Sequence, residues 1–153
     1  FSYPTSIPAP QIGTFNSSEL LVKATSIPAS TVGSYEVFYH GKAVKVAGDR
    51  TFETWTTTIM NDTDFLVRNA MERWMNGINA LSDNSGLENP SDYQVDAFVD
   101  QLDRAGEAIK SYTFRGLFPQ TIAPIELGYD QNDAVETFEV TYRYQFFETN
   151  TTS

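Results

Sequence analysis

Between Phe138 and Phe146 the chain alternates strictly: Phe138, Val140, Tyr142, Tyr144 and Phe146 are apolar or aromatic, while Glu139, Thr141, Arg143 and Gln145 are polar. A period of two puts the apolar side chains on one face of an extended strand and the polar ones on the other. Such a strand belongs in an antiparallel sheet with one face buried and one face wet. Its register is fixed too, because a slip of one residue would drive the polar set into the core. The fold must therefore place its core on one side of a sheet. The 153 residues, 41% hydrophobic and 14% aromatic, suit a single domain with that core. There is no cysteine, so neither disulfides nor thiolate-bound metal can staple it.

The remaining segments agree. Residues 1–18 carry Pro4, Pro8 and Pro10 and read as an extended arm, without the charged-then-apolar layout of a signal peptide. Tyr35 to Tyr39 and Ala43 to Val46 flank a His40-Gly41 turn, a hairpin pattern, and Gly48-Asp49 reads as a further turn. Thr51 to Met60 is dense in β-branched and aromatic residues and reads as one strand. A helix is expected over Asp64 to Leu81, with Asn61 or Asp62 at its cap. Val67, Met71, Trp74, Ile78 and Leu81 would form its buried stripe, leaving Arg68, Glu72 and Asn76 outward. The helix should end at Ser82 to Gly86, with Gly86 at positive φ and Pro90 closing the loop. Two strands follow, Tyr93 to Leu102 and Glu107 to Phe118, around a turn at Asp103 to Gly106. Pro119 and Pro124 then break the chain, and Glu148 to Ser153 reads as a flexible tail. The sum is an α+β domain, mostly antiparallel β, with six to seven strands and one flanking helix.

Few groups are available for catalysis. His40 is the lone histidine and sits in a turn, so no pair of imidazoles can hold a metal. Neither a dinucleotide fingerprint nor a phosphate-cradling loop occurs. Carboxylate pairs such as Asp100/Asp103 and Glu136/Glu139 are what chance spacing gives among 20 acidic residues. The run Asp83 to Gly86 has half of a calcium loop and lacks the rest of its ligands. The expectation is a protein that is not an enzyme and takes no cofactor or metal. A net charge of −10 disfavours binding to nucleic-acid phosphates, and no apolar run reaches the roughly 18 residues needed to cross a bilayer. Against that acidic background Lys42, Lys45 and Arg50 stand beside Asp49 alone. The run is either an ordinary solvated hairpin or a contact for acidic groups on a neighbour, which suits head-to-tail stacking of copies.

The segment KATSIPASTVGSYEVFYHGKAVKVAGDRTFETWTTTIMND, Lys23 to Asp62, resembles the tail tube proteins of contractile-tailed bacteriophages. The likeness continues through Asp64 to Asn79 and through Gln101 to Glu148, and AGDRTFETW with the following IMND is its most specific piece. Such proteins are shared with contractile bacteriocins and related to type VI secretion tubes. The resemblance implies a β-barrel or sandwich with one helix, forming hexameric rings that stack head to tail into a hollow tube. It implies as partners other copies, a contractile sheath protein, and baseplate and tail-terminator proteins. The product would be a virion tail part, assembled in the host cytoplasm, through which phage DNA passes without specific binding or membrane insertion. Ring stacking then falls to Lys42, Lys45, Asp49 and Arg50.

A conduit for a polyanion needs a polar, neutral to acidic wall with its aromatics turned away, since cations would hold phosphates and rings would stack bases. Alternation supplies Thr54, Thr56 and Thr58, then Asp96 and Asp100, then Glu139 and Thr141 as wall residues. Arg143 shares the last of these faces and calls for a carboxylate across the strand pair. Two other functions fit the composition. One is a tube of a bacteriocin or type VI-like system carrying proteins. The other is a monomeric carbohydrate-binding sandwich using Tyr3, Tyr39 or Tyr129.

Overall fold

The computed structural model describes residues 22–61, 65–82, 85–125 and 136–151. The expected arm at 1–18, the capping Asp62, and Tyr3 and Tyr129 lie outside the described residues. The elements in order are β1 (Val22–Thr25), β2 (Ser30–Tyr39), β3 (Lys42–Phe52), β4 (Trp55–Met60), α1 (Leu66–Ile78), α2 (Pro90–Tyr93), β5 (Val95–Leu102), β6 (Ala108–Ile122), β7 (Thr137–Arg143) and β8 (Phe146–Thr149). The α+β class with antiparallel strands stands as expected. The described residues hold eight strands and two helices, one more of each than the highest expectation. The main sheet runs β1-β4-β7-β6-β5 with β8 beside β6, while among the described residues β2 and β3 pair only with each other. Among the described residues the main sheet is open, ending in β1 and β5, and is not a closed barrel.

β7 and β8 are two parts of one ribbon along β6. Phe118 pairs with Arg143 and Arg115 with Phe146 in the same register. The ribbon kinks between them opposite Gly116, whose φ of 63° favours glycine. A Cβ there would lie 2.8 Å from Gln145 Cγ. The kink shifts the parity of the alternating strand. Phe138, Val140, Tyr142 and Tyr144 are buried as expected, but Phe146 is 43% exposed and Phe147 packs inward instead. Glu148 and Thr149 pair with Thr113 and Tyr112, so the ladder runs into what composition marked as a tail.

Other boundaries also differ from the expectation, for reasons that lie in strand pairing. The run Thr51 to Met60 is two strands in two sheets. Phe52 turns into the aromatic core against Phe147 (ring centroids 5.5 Å apart), and the Glu53 amide closes the hairpin base on the Ala29 carbonyl at 3.1 Å. Gly48-Asp49 is no turn but a bulge within β3, where the pairing shifts opposite Gly33. Gly33 keeps that approach relaxed, since a Cβ would sit 3.2 Å from the Asp49 carbonyl, closer than ordinary van der Waals contact. Pro119 lies inside β6, paired with Tyr142 beside a second register shift that absorbs the lost donor. Pro90 opens α2 at its first turn, and Tyr93 belongs to that helix and not to β5.

Helix α1 begins five residues beyond Asn61, with Phe65 in the left-handed region as its N-cap (φ 53°) and no side-chain cap. Asn61 instead extends the sheet, its amide donating to the Glu136 carbonyl at 2.8 Å and its Nδ2 to Glu136 Oε1 at 3.1 Å. Val67, Ala70, Met71 and Trp74 are buried; Ile78 is half-buried, and Leu81 lies beyond the helix and is 94% exposed. Gly86 has an ordinary φ, and it is required for another reason. A Cβ on it would fall 2.0 Å from the Ile78 carbonyl oxygen, so the returning chain can cross the helix end only as glycine. Arg68 is held in, not outward. It pairs with Glu72 at 2.9 Å, donates to the Ala123 carbonyl at 3.2 Å and lies over the Phe138 ring.

The core between α1 and the sheet is largely aromatic. Trp55 stacks on Phe114 at 4.5 Å and leans on Tyr142, while its Nε1 donates to Thr25 Oγ1 at 2.7 Å and ties β1 to β4. Burial raises the Tyr142 hydroxyl well above its ordinary value. Burial first, and the Glu53 charge second, push Tyr144 up to about 12. The native state thus keeps phenolic protons that the unfolded chain releases above a pH of about 10, so stability falls as pH rises through about 10 to 12. Alkaline unfolding followed by circular dichroism should coincide with late phenolate absorbance. Among the described residues the buried Tyr144 hydroxyl has no hydrogen-bond partner, so Tyr144→Phe should move the alkaline midpoint upward at no cost in packing. An unmoved midpoint would show that Tyr144 ionises in the folded state.

Candidate functional site

Three surfaces lie outside that core. The first is the β2–β3 hairpin, closed by a two-residue turn with His40 at φ 48° and Gly41 at φ 75°, the pairing that matches strand twist. Every residue of β2 is exposed, and among the described residues the hairpin packs on no other element to any extent beyond its base at Phe52. Its cross-strand pairs sort the side chains into two faces. Tyr39 opposite Lys42, Val37 opposite Val44 and Tyr35 opposite Val46 make one face, apolar with a single charge. Glu36 opposite Lys45, Phe38 opposite Ala43 and Val32 opposite Arg50 make the other. The expected stacking set is therefore divided. Lys45 and Arg50 share a face, Lys42 points away from them, and Asp49 sits in the bulge.

The second surface is the wet face of β4 and β7. Thr56 pairs with Thr141 and Thr58 with Glu139, which brings four of the expected wall residues onto one face. Thr56 and Thr141 hydroxyls meet at 3.3 Å across the ladder. Thr54 is not with them, because it falls in the break before β4. Arg143 finds no carboxylate among the described residues; its Nε donates to Gln120 Oε1 at 3.0 Å.

The third is the outer face of β5, β6 and β8, and its central group escaped the sequence. Arg115 bridges Asp96 on one side and Glu148 on the other, and Asp96 also accepts the Gly116 amide at 3.2 Å. The Asp96 hydrogen bond and charge, with a smaller part from Glu148, raise the guanidinium pKa further. The strand-to-strand order β5-β6-β8 makes this cluster, and no spacing along the chain announces it. Asp100 faces the same way as Asp96, with Phe98 between them. Among the described residues no group of three or more His, Asp or Glu is placed to hold a metal ion, and no helix is long and apolar enough to cross a membrane.

Comparison with known proteins decides the family. The sequence matches the phage tail tube protein family over residues 2–150. It is 32% identical to tail tube protein gp19 of Enterobacteria phage T4, over 82% of this chain and 78% of that protein. The chain belongs to the phage tail tube family. A tail tube protein of Serratia phage KSP90 is 30% identical over 82% of this chain and 71% of its own. The fold of this tail tube chain is shared with two solved assemblies. One is the tube-terminating cap of the anti-feeding prophage (TM-score 0.65, 17% identity, 94% of this chain and 91% of that one). The other is a PVC extracellular contractile injection system, in its sheath/tube terminator in the extended state (TM-score 0.65, 14% identity, 84% of each chain). The family is one of structural tail components of contractile systems.

Proposed function

We propose that this chain forms hexameric rings that stack head to tail into a hollow tube, a non-enzymatic conduit for phage DNA inside a contractile sheath, assembled in the host cytoplasm and capped by baseplate and terminator proteins. The hairpin carries this reading. Two long strands with no third layer are marginal in water alone, so an element built this way is completed by a neighbour. The edges of β1 and β5, free among the described residues, support the same reading, since an open sheet edge is a hazard unless it is paired. The phage origin of the relatives at 30% identity and above favours a DNA conduit over a bacteriocin or protein-secreting tube. The carbohydrate-binding alternative loses its ground, because Tyr39 sits at the tip of that hairpin and not in a cleft.

Within the tube, Lys45 and Arg50 reach acidic groups of the next ring, while Thr56, Thr58, Glu139 and Thr141 line the bore. The Asp96–Asp100 face suits a contact between copies better than a bore, since Phe98 stands exposed between the two and bases stack on such rings. Negative-stain imaging of the purified protein tests the whole reading: rings or tubes are expected, and a protein that stays monomeric at high concentration would overturn it. Reversing Lys45 and Arg50 to Glu should leave circular dichroism unchanged, because both are exposed, and should weaken stacking by about 1–3 kcal/mol per pair. Light scattering should then show short or single rings; tubes of wild-type length would remove these residues from the stacking contact.

A further inference from the structure

The exposed large apolar side chains are not scattered. Six lie on the β2–β3 hairpin, and four, Phe98, Leu102, Ile109 and Phe146, lie on the outer face of β5, β6 and β8. Phe98 and Ile109 are 62% and 60% exposed, well beyond what single surface residues need to explain. Tyr35, Val37 and Tyr39 recur every second residue along the apolar hairpin face, as Phe98, Asp100 and Leu102 do along β5. Each stripe spans five residues, four steps, or about 13 Å at the rise of a strand. Their charges are opposite. The hairpin face carries Lys42 alone, whereas the β5–β6–β8 face carries Asp96, Asp100 and Glu148 against Arg115. Among the described residues the two do not meet within one chain, since the hairpin packs on no other element to any extent beyond its base.

We infer that the apolar face of the hairpin, Tyr35, Val37, Tyr39 and Val44, docks on the Phe98, Leu102 and Ile109 face of a second copy of this chain. This rests on the tube reading and adds the receiving surface to it. The contact is heterologous, because pairing either face with itself would bring together two faces of like charge, whereas the two different faces are complementary. A heterologous contact leaves one face of each kind free at the ends, so it continues from copy to copy. The hairpin then addresses two neighbours, with its apolar face on one and Lys45 and Arg50 toward another. Lys42 is brought toward Asp100, a carboxylate between two apolar side chains.

The chain has no cysteine, which makes the test clean. Val37→Cys and Phe98→Cys are made singly and together, both at exposed positions, with Tyr39→Cys and Leu102→Cys as a second pair. Each protein is treated with a bis-maleimide whose reach is about 10 Å, the spacing of packed sheets. The double variants should give a ladder of covalent dimers, trimers and higher species on a denaturing gel. A mixture of the two single variants should stop at dimers, and each single variant alone should stay monomeric. Cross-linking of Val37→Cys with itself would overturn the heterologous contact. Tubes visible in the microscope without a ladder from either pair would overturn this contact and leave the tube reading intact. Wild-type protein that never assembles would sink both.

Discussion

Replacing Trp74 by alanine should cost about 3–5 kcal/mol, a large part of the 5–15 kcal/mol that holds a typical domain together. Trp74 is fully buried on α1, in one core with Phe114, Tyr142 and Val140 of the sheet. Its Nε1 also donates to the Tyr93 carbonyl at 2.8 Å, so the same side chain seats α1 on the sheet and anchors α2. Alanine would leave a cavity and an unanswered carbonyl together. Phenylalanine would restore much of the volume but not the donor, and should cost about 1–3 kcal/mol. Urea unfolding below the concentration at which rings form measures both. A loss under 1 kcal/mol for Trp74→Ala would mean that α1 is not seated on the sheet.

That prediction was legible in the sequence, because the stripe Val67, Met71, Trp74 needs only helical periodicity. The partner of its indole was not, since Tyr93 read as the start of a strand and Pro90 as the end of a loop. Wet and dry faces were readable wherever the strand was regular: Phe138 to Tyr144 inward, Glu139 and Thr141 outward. The pattern failed at Phe146, because Gly116, on another strand thirty residues earlier, kinks the ribbon and changes its parity. Alternation is a local signal, and a bulge on a neighbouring strand is not local. Thr54 and Gly48-Asp49 failed in the same way, through a bend and a bulge that pairing reveals and composition hides.

The surfaces were harder to read for a different reason. Tyr35, Val37 and Tyr39 recur every second residue, with Glu36 and Phe38 between them, much as Phe138, Val140 and Tyr142 do, and by pattern alone both sets belong inside. One set is in the core, and the other is in open solvent. Within a single copy this looks like an inconsistency between pattern and burial. It disappears if the missing half of the core belongs to another copy, which a chain built to assemble would show. Basic residues mislead in the opposite sense. Lys42, Lys45 and Arg50 are close in sequence, yet register sends Lys42 to one face and the others to the opposite one.

Reversing the charge on the proposed bore should have the largest effect of all, because it is repeated in every ring. Glu139 is exposed on β7 opposite Thr58, in the middle of the threonine face, and Glu139→Lys would put one cation per copy there. A few lysine contacts to phosphate per ring are weak singly. Summed along a tube they become an adhesion that falls steeply with salt, with a slope of about −0.7 to −0.9 per phosphate neutralised. Particles carrying Glu139→Lys should assemble and then stall in genome ejection at low salt, recovering as salt rises and the screening length drops from about 30 Å to about 10 Å. Glu139→Gln separates adding a cation from losing an anion, and should eject close to normally. Arg143 supports the same logic from within the wild type. It is a cation on this face, held by Gln120 and not neutralised by a carboxylate among the described residues, and Glu139 four positions away offsets it. Arg143→Gln should therefore eject as fast as wild type or faster, and should partly relieve the Glu139→Lys stall. Normal low-salt ejection from particles shown to contain the Glu139→Lys tube would take the β4–β7 face out of the bore.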